Sequence, residues 1–521
     1  MAYIGNEENE CVWDKFILIC KPEQSGKTFI MIKMINESYN NYDDEGKIII
    51  NFIFCDNNLL LTKQTSERIK RDVKLLPDTS ESYVEFSSRK DGIALNLPCQ
   101  VENSIAIQGI TNIVCCTNGK RVENISSIIN TLNRAVMTKN KFIFRIWLDE
   151  ADKFVNHISK SFFPLVESND NVEVYCITAT PDTLFKKYNY MNVLPLAKTT
   201  NRKQYHGWKD NIIKIRENIM NTTCGFVTQA LLECNPEPKS KWYIPAERTV
   251  ESHQEIRDIL LGSGFAVFVV NGAGIELSLP LPGKQVYIEK KTKELQEQIR
   301  EMYKKYDVEQ FPTAVTGNLC VGRGISIMHP EFIFDYGILS NCTKKTEVSQ
   351  NAGRLKGNIK KWENYKPPTV YTTAKFDSIA TEWEIRSREL AILAFNKSDG
   401  DIDNPVNITK SEFKNIGKEC DWNSYTHEFT DIDDAHKYLK ENGFNRKRKF
   451  EYNPEGFIVS STTGNKKILS YDEVKAEIAG WSATSALDMR GKDKAQRMIV
   501  CYKDLNDKKS VVYIIRAAYK K

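Results

Sequence analysis

The chain reads as an α/β protein with two parallel sheets in tandem, followed by a smaller C-terminal α+β domain. Its 521 residues exceed what one hydrophobic core organises, so two or three domains are expected. Short, continuously apolar runs alternate with turns and helix-like stretches, as in parallel sheets covered on both faces. The charge balance also changes along the tail: residues 401–440 carry five basic and nine acidic residues, residues 441–521 seventeen and ten. That swing from −4 to +7 marks a unit of different character.

In the first 200 residues the expected strands are Phe16–Cys20, Ile48–Cys55, Ile113–Cys116, Phe142–Leu148 and Val172–Thr178. A polar stretch with prolines at Asn235–Lys241 precedes a second series: Trp242–Ala246, Phe265–Asn271, Thr313–Val315, Phe332–Leu339 and Thr369–Thr373. Helices fit between them at Val250–Leu261, Lys293–Tyr306 and Ser378–Phe395. The last carries Ile379, Trp383, Ile385, Leu390, Ile392 and Leu393. The acidic, turn-rich Ser398–Pro405 opens the third unit, which ends in a hairpin of Met498–Lys503 and Val511–Arg516. The boundaries read as a first domain over 1–200, a linker over 201–240, a second domain over 241–400 and the C-terminal domain over 401–521.

Composition excludes several classes. With 41% hydrophobic and 27% charged residues the chain has ample material for cores, so general disorder is ruled out. Thirteen cysteines without a CxxC pair, beside six histidines, lack the ligand spacing of a zinc site and suit buried thiols in a reducing compartment. No stretch approaches 18 apolar residues and no basic leader precedes an apolar run, so an intracellular, soluble protein without a membrane partner is expected. The net charge of +5 is too small over this length to name a partner. The richness in Asn, Ile and Lys is what AT-rich coding produces, as in a large DNA virus or similar genome, and says nothing of mechanism.

Three segments carry chemistry. Strand Phe16–Cys20 runs into Lys21-Pro-Glu-Gln-Ser-Gly-Lys-Thr28 and then an apolar helical pattern. A phosphate-binding loop is built this way: backbone N–H groups at a helix start face the anion, Lys27 reaches its outer phosphates, and the Thr28 hydroxyl holds Mg²⁺. Lys21 stands where the first glycine of that motif belongs, and Gly26-Lys27-Thr28 alone also suits a basic turn capped by Thr28. Asp149-Glu-Ala-Asp152 closes the run Phe142–Leu148. At a strand's carboxyl end such a pair can bind Mg²⁺ through Asp149 and orient a water through Glu150, or simply favour a helix start. Thr178-Ala-Thr180 closes the next strand with two hydroxyls that can bond to the acids.

Together these segments resemble motifs I, II and III of superfamily 2 (DEAD/DEAH-like) helicases, spaced 122 residues from Lys27 to Asp149 and 29 from there to Thr178. Gly317-Asn-Leu-Cys-Val-Gly-Arg-Gly-Ile-Ser326 is similar to motif V and Gln350-Asn-Ala-Gly-Arg354 to motif VI. Trp242–Ala246 takes the place of motif IV, and Thr117-Asn-Gly-Lys-Arg121 resembles motif Ib. The resemblance covers roughly residues 12–395. It implies two tandem RecA-like lobes that bind ATP and Mg²⁺ between them. It further implies ATP contacts from Gln24, Ser25, Gly26, Lys27, Thr28, Gly324 and Arg354, and metal ligation by Thr28 and Asp149. Catalysis would fall to Lys27, Asp149, Glu150, Gln350 and Arg354, and coupling to Thr178, Thr180 and Arg323. Gly357 stands where the family commonly has a second arginine, which leaves Arg354 as the candidate finger with Lys356 and Lys360 as substitutes. No glutamine precedes Gln24, so the adenine-reading motif of DEAD-box RNA helicases is absent.

Nucleic acid, DNA or RNA, is the implied partner. Thr117, Lys120 and Arg121 are expected to touch it, and the basic run Arg446, Lys447, Arg448 and Lys449 can neutralise phosphates. Tyr452, Phe457, Trp481 and Tyr502 suit base stacking or, more readily, a hydrophobic core. The C-terminal domain is also a place for a protein partner. The expected function is an ATP-dependent helicase or translocase. The alternatives are a nucleotide-gated binder that does not unwind, and a duplex-DNA translocase.

Overall fold

The computed structural model describes residues 10–40, 46–55, 59–73, 83–87, 94–116, 118–196, 204–271, 274–282, 286–289, 294–317, 327–340, 344–398, 404–416, 422–444, 450–462, 465–479 and 494–520. Thr117, Arg323, Gly324, Arg446 to Lys449 and Trp481 lie outside them. The chain divides into Met1–Gly417 and Lys418–Lys521.

Eight strands come first: β1 (Phe16–Cys20), β2 (Ile48–Cys55), β3 (Val84–Phe86), β4 (Ala94–Leu95), β5 (Asn112–Cys116), β6 (Phe142–Asp149), β7 (Val172–Thr178) and β8 (Tyr190–Val193). The next eight are β9 (Ile212–Ile215), β10 (Lys241–Tyr243), β11 (Ala266–Val270), β12 (Ile275–Ser278), β13 (Val286–Glu289), β14 (Thr313–Gly317), β15 (Tyr336–Leu339) and β16 (Thr369–Thr372). β17 (Val406–Thr409) then returns to the first sheet, whose order is β17-β8-β1-β7-β6-β2-β5-β3-β4. All its pairs are parallel except β17 with β8. The second sheet is ordered β13-β12-β11-β14-β10-β15-β16-β9, parallel except for the β11-β12 and β12-β13 pairs. The expected α/β architecture of two parallel-dominated sheets is therefore present.

The central strands are buried because both faces of each sheet are covered. One face of the first sheet packs Phe16, Leu18, Phe52, Phe54, Phe144 and Val174 against its helices. The opposite face joins a hydrophobic cluster to which both sheets contribute, with Ile19, Ile53, Trp147 and Ile177 from the first and Tyr243, Phe268, Val315 and Leu339 from the second. A polar residue inside β2 survives by being satisfied: Asn51 donates to Asn112 Oδ1 (3.1 Å) and accepts from Trp147 Nε1 (2.9 Å).

The 24-residue helix Ala374–Lys397 ties the two halves together. Its buried positions Phe376, Ala380, Trp383, Ser387, Leu390, Ala391 and Ala394 repeat every three or four residues, one stripe of a helix. Phe376 and Ala380 enter the shared core, whereas Leu390 and Ala394 enter the outer core of the first sheet. Arg386 Nη1 reaches Asp182 Oδ1 at 2.5 Å, and Trp208 donates to Glu384 and Asp377 at 2.7 Å.

Two expected boundaries differ. The stretch 201–240, read as a linker, contains β9 at the edge of the second sheet and helix Thr223–Leu232, whose Phe226, Val227 and Ala230 pack beneath that sheet. Exposed residues at Ile212 and Ile215 disguised β9, since an edge strand need not bury both faces. Beyond residue 400, β17 and helix Lys410–Asn415 belong to the first sheet's body, where Ile408, Phe413 and Ile416 are buried and Phe413 stacks on Phe185.

The second unit contains β18 (Trp422–Phe429), β19 (Glu451–Tyr452), β20 (Ile458–Thr462), β21 (Asn465–Lys467), β22 (Lys494–Tyr502) and β23 (Val511–Lys520). β22 and β23 form the expected antiparallel hairpin, flanked by β18. Met498, Val500, Tyr513 and Ile515 face helix Ile432–Glu441, and Ile499, Cys501, Val512 and Ile514 face helix Tyr471–Ala479. Phe457 and Tyr502 are core residues, while Tyr452 is exposed. Among the described residues the cysteines are free thiols, most of them buried. No helix there is long and apolar enough to cross a membrane.

Candidate functional site

β1 ends in a tight loop. Ser25 donates from its backbone N–H and its hydroxyl to the Pro22 carbonyl, and Ile30 N–H bonds to Gly26 O at 3.1 Å as helix Lys27–Asn40 begins. Gly26 sits at φ +92°, a conformation side-chain-bearing residues rarely adopt, and this explains the glycine before Lys27. Two strands away, Asp149 is the last residue of β6 and Glu150 turns left-handed at φ 62°. Both loops therefore open at the carboxyl ends of parallel strands, where ligands of open α/β sheets bind. The second half contributes helix Lys345–Ala352 and the following turn, which present Gln350 and Arg354.

These segments converge. Gln24, Gly26, Lys27, Thr28, Asp149, Glu150, Gln350 and Arg354 line one cleft of about 320 Å³. Glu23, Phe29, Ile32, Arg68, Arg71, Asp72 and Asn358 line it too. Ser25 is buried in the turn itself. Thr178 lies behind the acids, where its hydroxyl donates to Asp152 Oδ1 (3.0 Å) and accepts from the Thr180 N–H (3.0 Å). Thr183 donates to the Asp152 carbonyl at 3.3 Å, so the acidic turn is held from the end of β7.

Charge in the cleft is mixed. Burial draws the Arg354 guanidinium below its ordinary pKa, against Tyr243, Glu150 and Glu23, which favour its charge. Burial also lowers Arg68, opposed by Glu294 and Asp149; its Nη1 lies 3.5 Å from Thr28 Oγ1. Glu23 is held below the usual carboxylate range although burial acts against it, because Lys356, Lys27 and Ser349 favour its ionised form. Lys356 Nζ lies 2.8 Å from Glu23 Oε2 and 3.4 Å from Glu384 Oε2.

Other expectations fare differently. Lys356 is engaged by these carboxylates, and Lys360 pairs with Asp210 at 2.8 Å. Neither lines the cleft. Gly357 adopts φ +147° and pairs backbone to backbone with His206, a geometry that suits no arginine. Lys120 is exposed at the start of helix Gly119–Arg134, but Arg121, expected at a nucleic-acid surface, is buried. Its Nη1 donates to the Asn96 carbonyl at 2.9 Å and its guanidinium lies 4.0 Å from the Phe86 ring centre.

Sequence reasoning missed Glu23, Arg68, Arg71 and Asn358. For Glu23 a signal existed: a carboxylate inside an anion-binding loop is repulsive unless a cation is built in beside it. Arg68 and Arg71 lie on helix Leu59–Asp72, with no motif to single them out.

The donor set fits a nucleotide and a hard cation. Gln350 Nε2 is buried without a hydrogen-bond partner among the described residues, a donor suited to a phosphate oxygen. The Thr28 hydroxyl and Asp149 carboxylate are oxygen ligands of the kind Mg²⁺ takes, and that ion keeps several waters and substrate oxygens besides. No group of three or more His, Cys, Asp or Glu able to hold a metal occurs among the described residues.

No protein-family model matches the chain, and no curated protein does. Solved structures similar to it include the E. coli DExH-box NTPase HrpB, at 10% identity and a TM-score of 0.42 over 70% of this chain and 40% of that one. The DEAD-box helicase Mss116 bound to ssRNA and UDP-BeF matches at 13% identity and 0.41, over 69% and 66%. The Pyrococcus furiosus Hef helicase domain matches at 11% and 0.38, over 70% and 93%. This chain spans about 40% of the length of the E. coli NTPase. Likenesses this distant transfer neither activity nor substrate.

Proposed function

We propose that the protein is an ATP-dependent translocase or helicase acting on DNA or RNA. The observation that supports this is the convergence of Gly26-Lys27-Thr28, Asp149-Glu150, Gln350 and Arg354, from three distant segments, on one cleft.

In this reading the loop N–H groups and Lys27 hold the β- and γ-phosphates. Thr28 and Asp149 would hold Mg²⁺, which when bound neutralises charge on the phosphate oxygens. Glu150 orients a water for attack on the γ-phosphorus; its oxygen forms the new P–O bond as the bond to the bridging oxygen breaks. ADP leaves with that electron pair, and the water's proton passes to Glu150 or solvent. Arg354 and Gln350 lie where charge accumulates on the transferring group. Lys27→Ala and Glu150→Gln should each lower nucleic-acid-stimulated ATP hydrolysis by roughly 10²–10⁴-fold. Hydrolysis unchanged in the purified variants would overturn the assignment.

A nucleotide-gated binder that does not unwind is favoured by a separate observation. Both sheets contribute to one hydrophobic cluster, and helix Ala374–Lys397 packs into it and into the outer core of the first sheet, an arrangement that suits a cleft held closed on its ligand. A duplex with a single-stranded tail separates the readings. Strand separation supports the helicase, and ATP-dependent affinity without displaced strand supports the binder.

A further inference from the structure

Glu23 is an anomaly in the cleft. It adds negative charge to a loop whose other features suit an anion, yet it is buried and ionised. Its carboxylate accepts a hydrogen bond from Ser349 and pairs with Lys356, while its carbonyl accepts from the Tyr205 hydroxyl at 3.0 Å. Lys356, buried to 1% exposure, is shared with Glu384 of the long helix. Gly353 completes the seat, since a Cβ there would lie 2.9 Å from Glu23 Cβ. Ser349, Gly353 and Lys356 flank Gln350 and Arg354 in sequence. Whatever holds the first three against Glu23 therefore fixes where the other two sit.

We propose that Glu23 and Lys356 form a buried latch between the loop 21–26 and the turn 349–356, and that this latch positions Arg354 and Gln350 over the nucleotide's outer phosphates. Neither latch residue lies among the reacting groups; both act through Arg354 and Gln350. The inference rests on reading the cleft as a nucleotide site. Lys356 places one fixed cation between Glu23 and Glu384, and Lys27 adds to it at Glu23. Loss of the Lys356 charge frees the turn and also leaves a buried carboxylate uncompensated.

The test uses the full-length protein with Lys356→Met, which keeps most of the side-chain volume, Lys356→Arg, which keeps the charge, and Glu23→Gln. Lys356→Met is expected to lower kcat for ATP by about 10- to 100-fold. KM and the affinity for a fluorescent non-hydrolysable ATP analogue should change by less than about threefold. Lys356→Arg should recover most of the loss, and Glu23→Gln should follow Lys356→Met. In the nucleotide-free protein, amide exchange should rise in Lys356→Met at 22–26 and 346–355 together, with helix Gly119–Arg134 unchanged as an internal control. Unchanged kcat and exchange in Lys356→Met would overturn the latch, as would kcat, affinity and melting temperature falling in parallel. A wild-type protein without ATPase activity defeats the nucleotide reading instead, and the exchange measurement still judges the latch.

Discussion

Lys21 stands where a glycine usually opens a phosphate loop, and the fold buries it to 2% exposure beside the end of β7, with its N–H facing the Thr178 carbonyl. Burial, aided by Lys27, lowers its pKa to about 8. The unfolded chain holds that proton up to about pH 10.5, so between roughly pH 8 and 10.5 it binds one more proton than the native state. The Lys21 contribution to stability then rises with pH across that window, and below it the desolvation cost is felt in full. Lys21→Met is expected to stabilise the protein at pH 7 by on the order of 3 kcal/mol. In denaturant unfolding the gap to wild type should close as pH climbs through that window, and a gap constant with pH would refute this account.

The long helix Ala374–Lys397 shows how one element can serve two cores. Thr373 caps it by accepting from the Phe376 N–H at 3.2 Å, and its apolar stripe stays in register from the shared core to the outer core of the first sheet. Leu390 is fully buried, so Leu390→Ala should cost about 2–5 kcal/mol through lost burial and the cavity left behind. Thermal or denaturant melts would measure it. At this scale the sequence was most readable for β1, β2, β6 and β7, whose largely apolar runs, broken only at Asn51, Arg145 and Glu173 before their carboxyl ends, betray strands covered on both faces. It was least readable for β9, β13 and β17, short edge strands with exposed or alternating positions. An edge strand is made by its neighbour's unpaired backbone, which its own residues do not announce. Motif positions were likewise legible where function demands a rare conformation, as at Gly26. Arg68 was not, since any helix surface accepts that residue type, and the carboxylate of Glu23 signalled a partner without naming Lys356.

For the whole molecule, the residues lining the cleft all fall within Met1–Gly417, separate from Lys418–Lys521. A fragment ending at Gly417 should therefore fold cooperatively and hydrolyse ATP at a rate close to that of the full chain. A fragment ending at residue 400 removes β17 and the buried Ile408, Phe413 and Ile416. At ~1.5–3 kcal/mol for each of the three side chains it should lose about 4.5–9 kcal/mol of stability. Calorimetry and ATPase assays on both fragments would check this, and equal stability would contradict the placement of β17. By itself the sequence determined the α/β class, the tandem sheets, the tight loop before Lys27 and the acid pair at the end of β6, because periodicity and turn chemistry act between near neighbours. Only the tertiary structure decided that Arg354 shares a cleft with Glu150, that Lys356 answers Glu23, that Arg121 is buried and that β17 returns to the first sheet. Those pairings join residues up to hundreds of positions apart, where complementary burial and charge, rather than local propensity, select the partner.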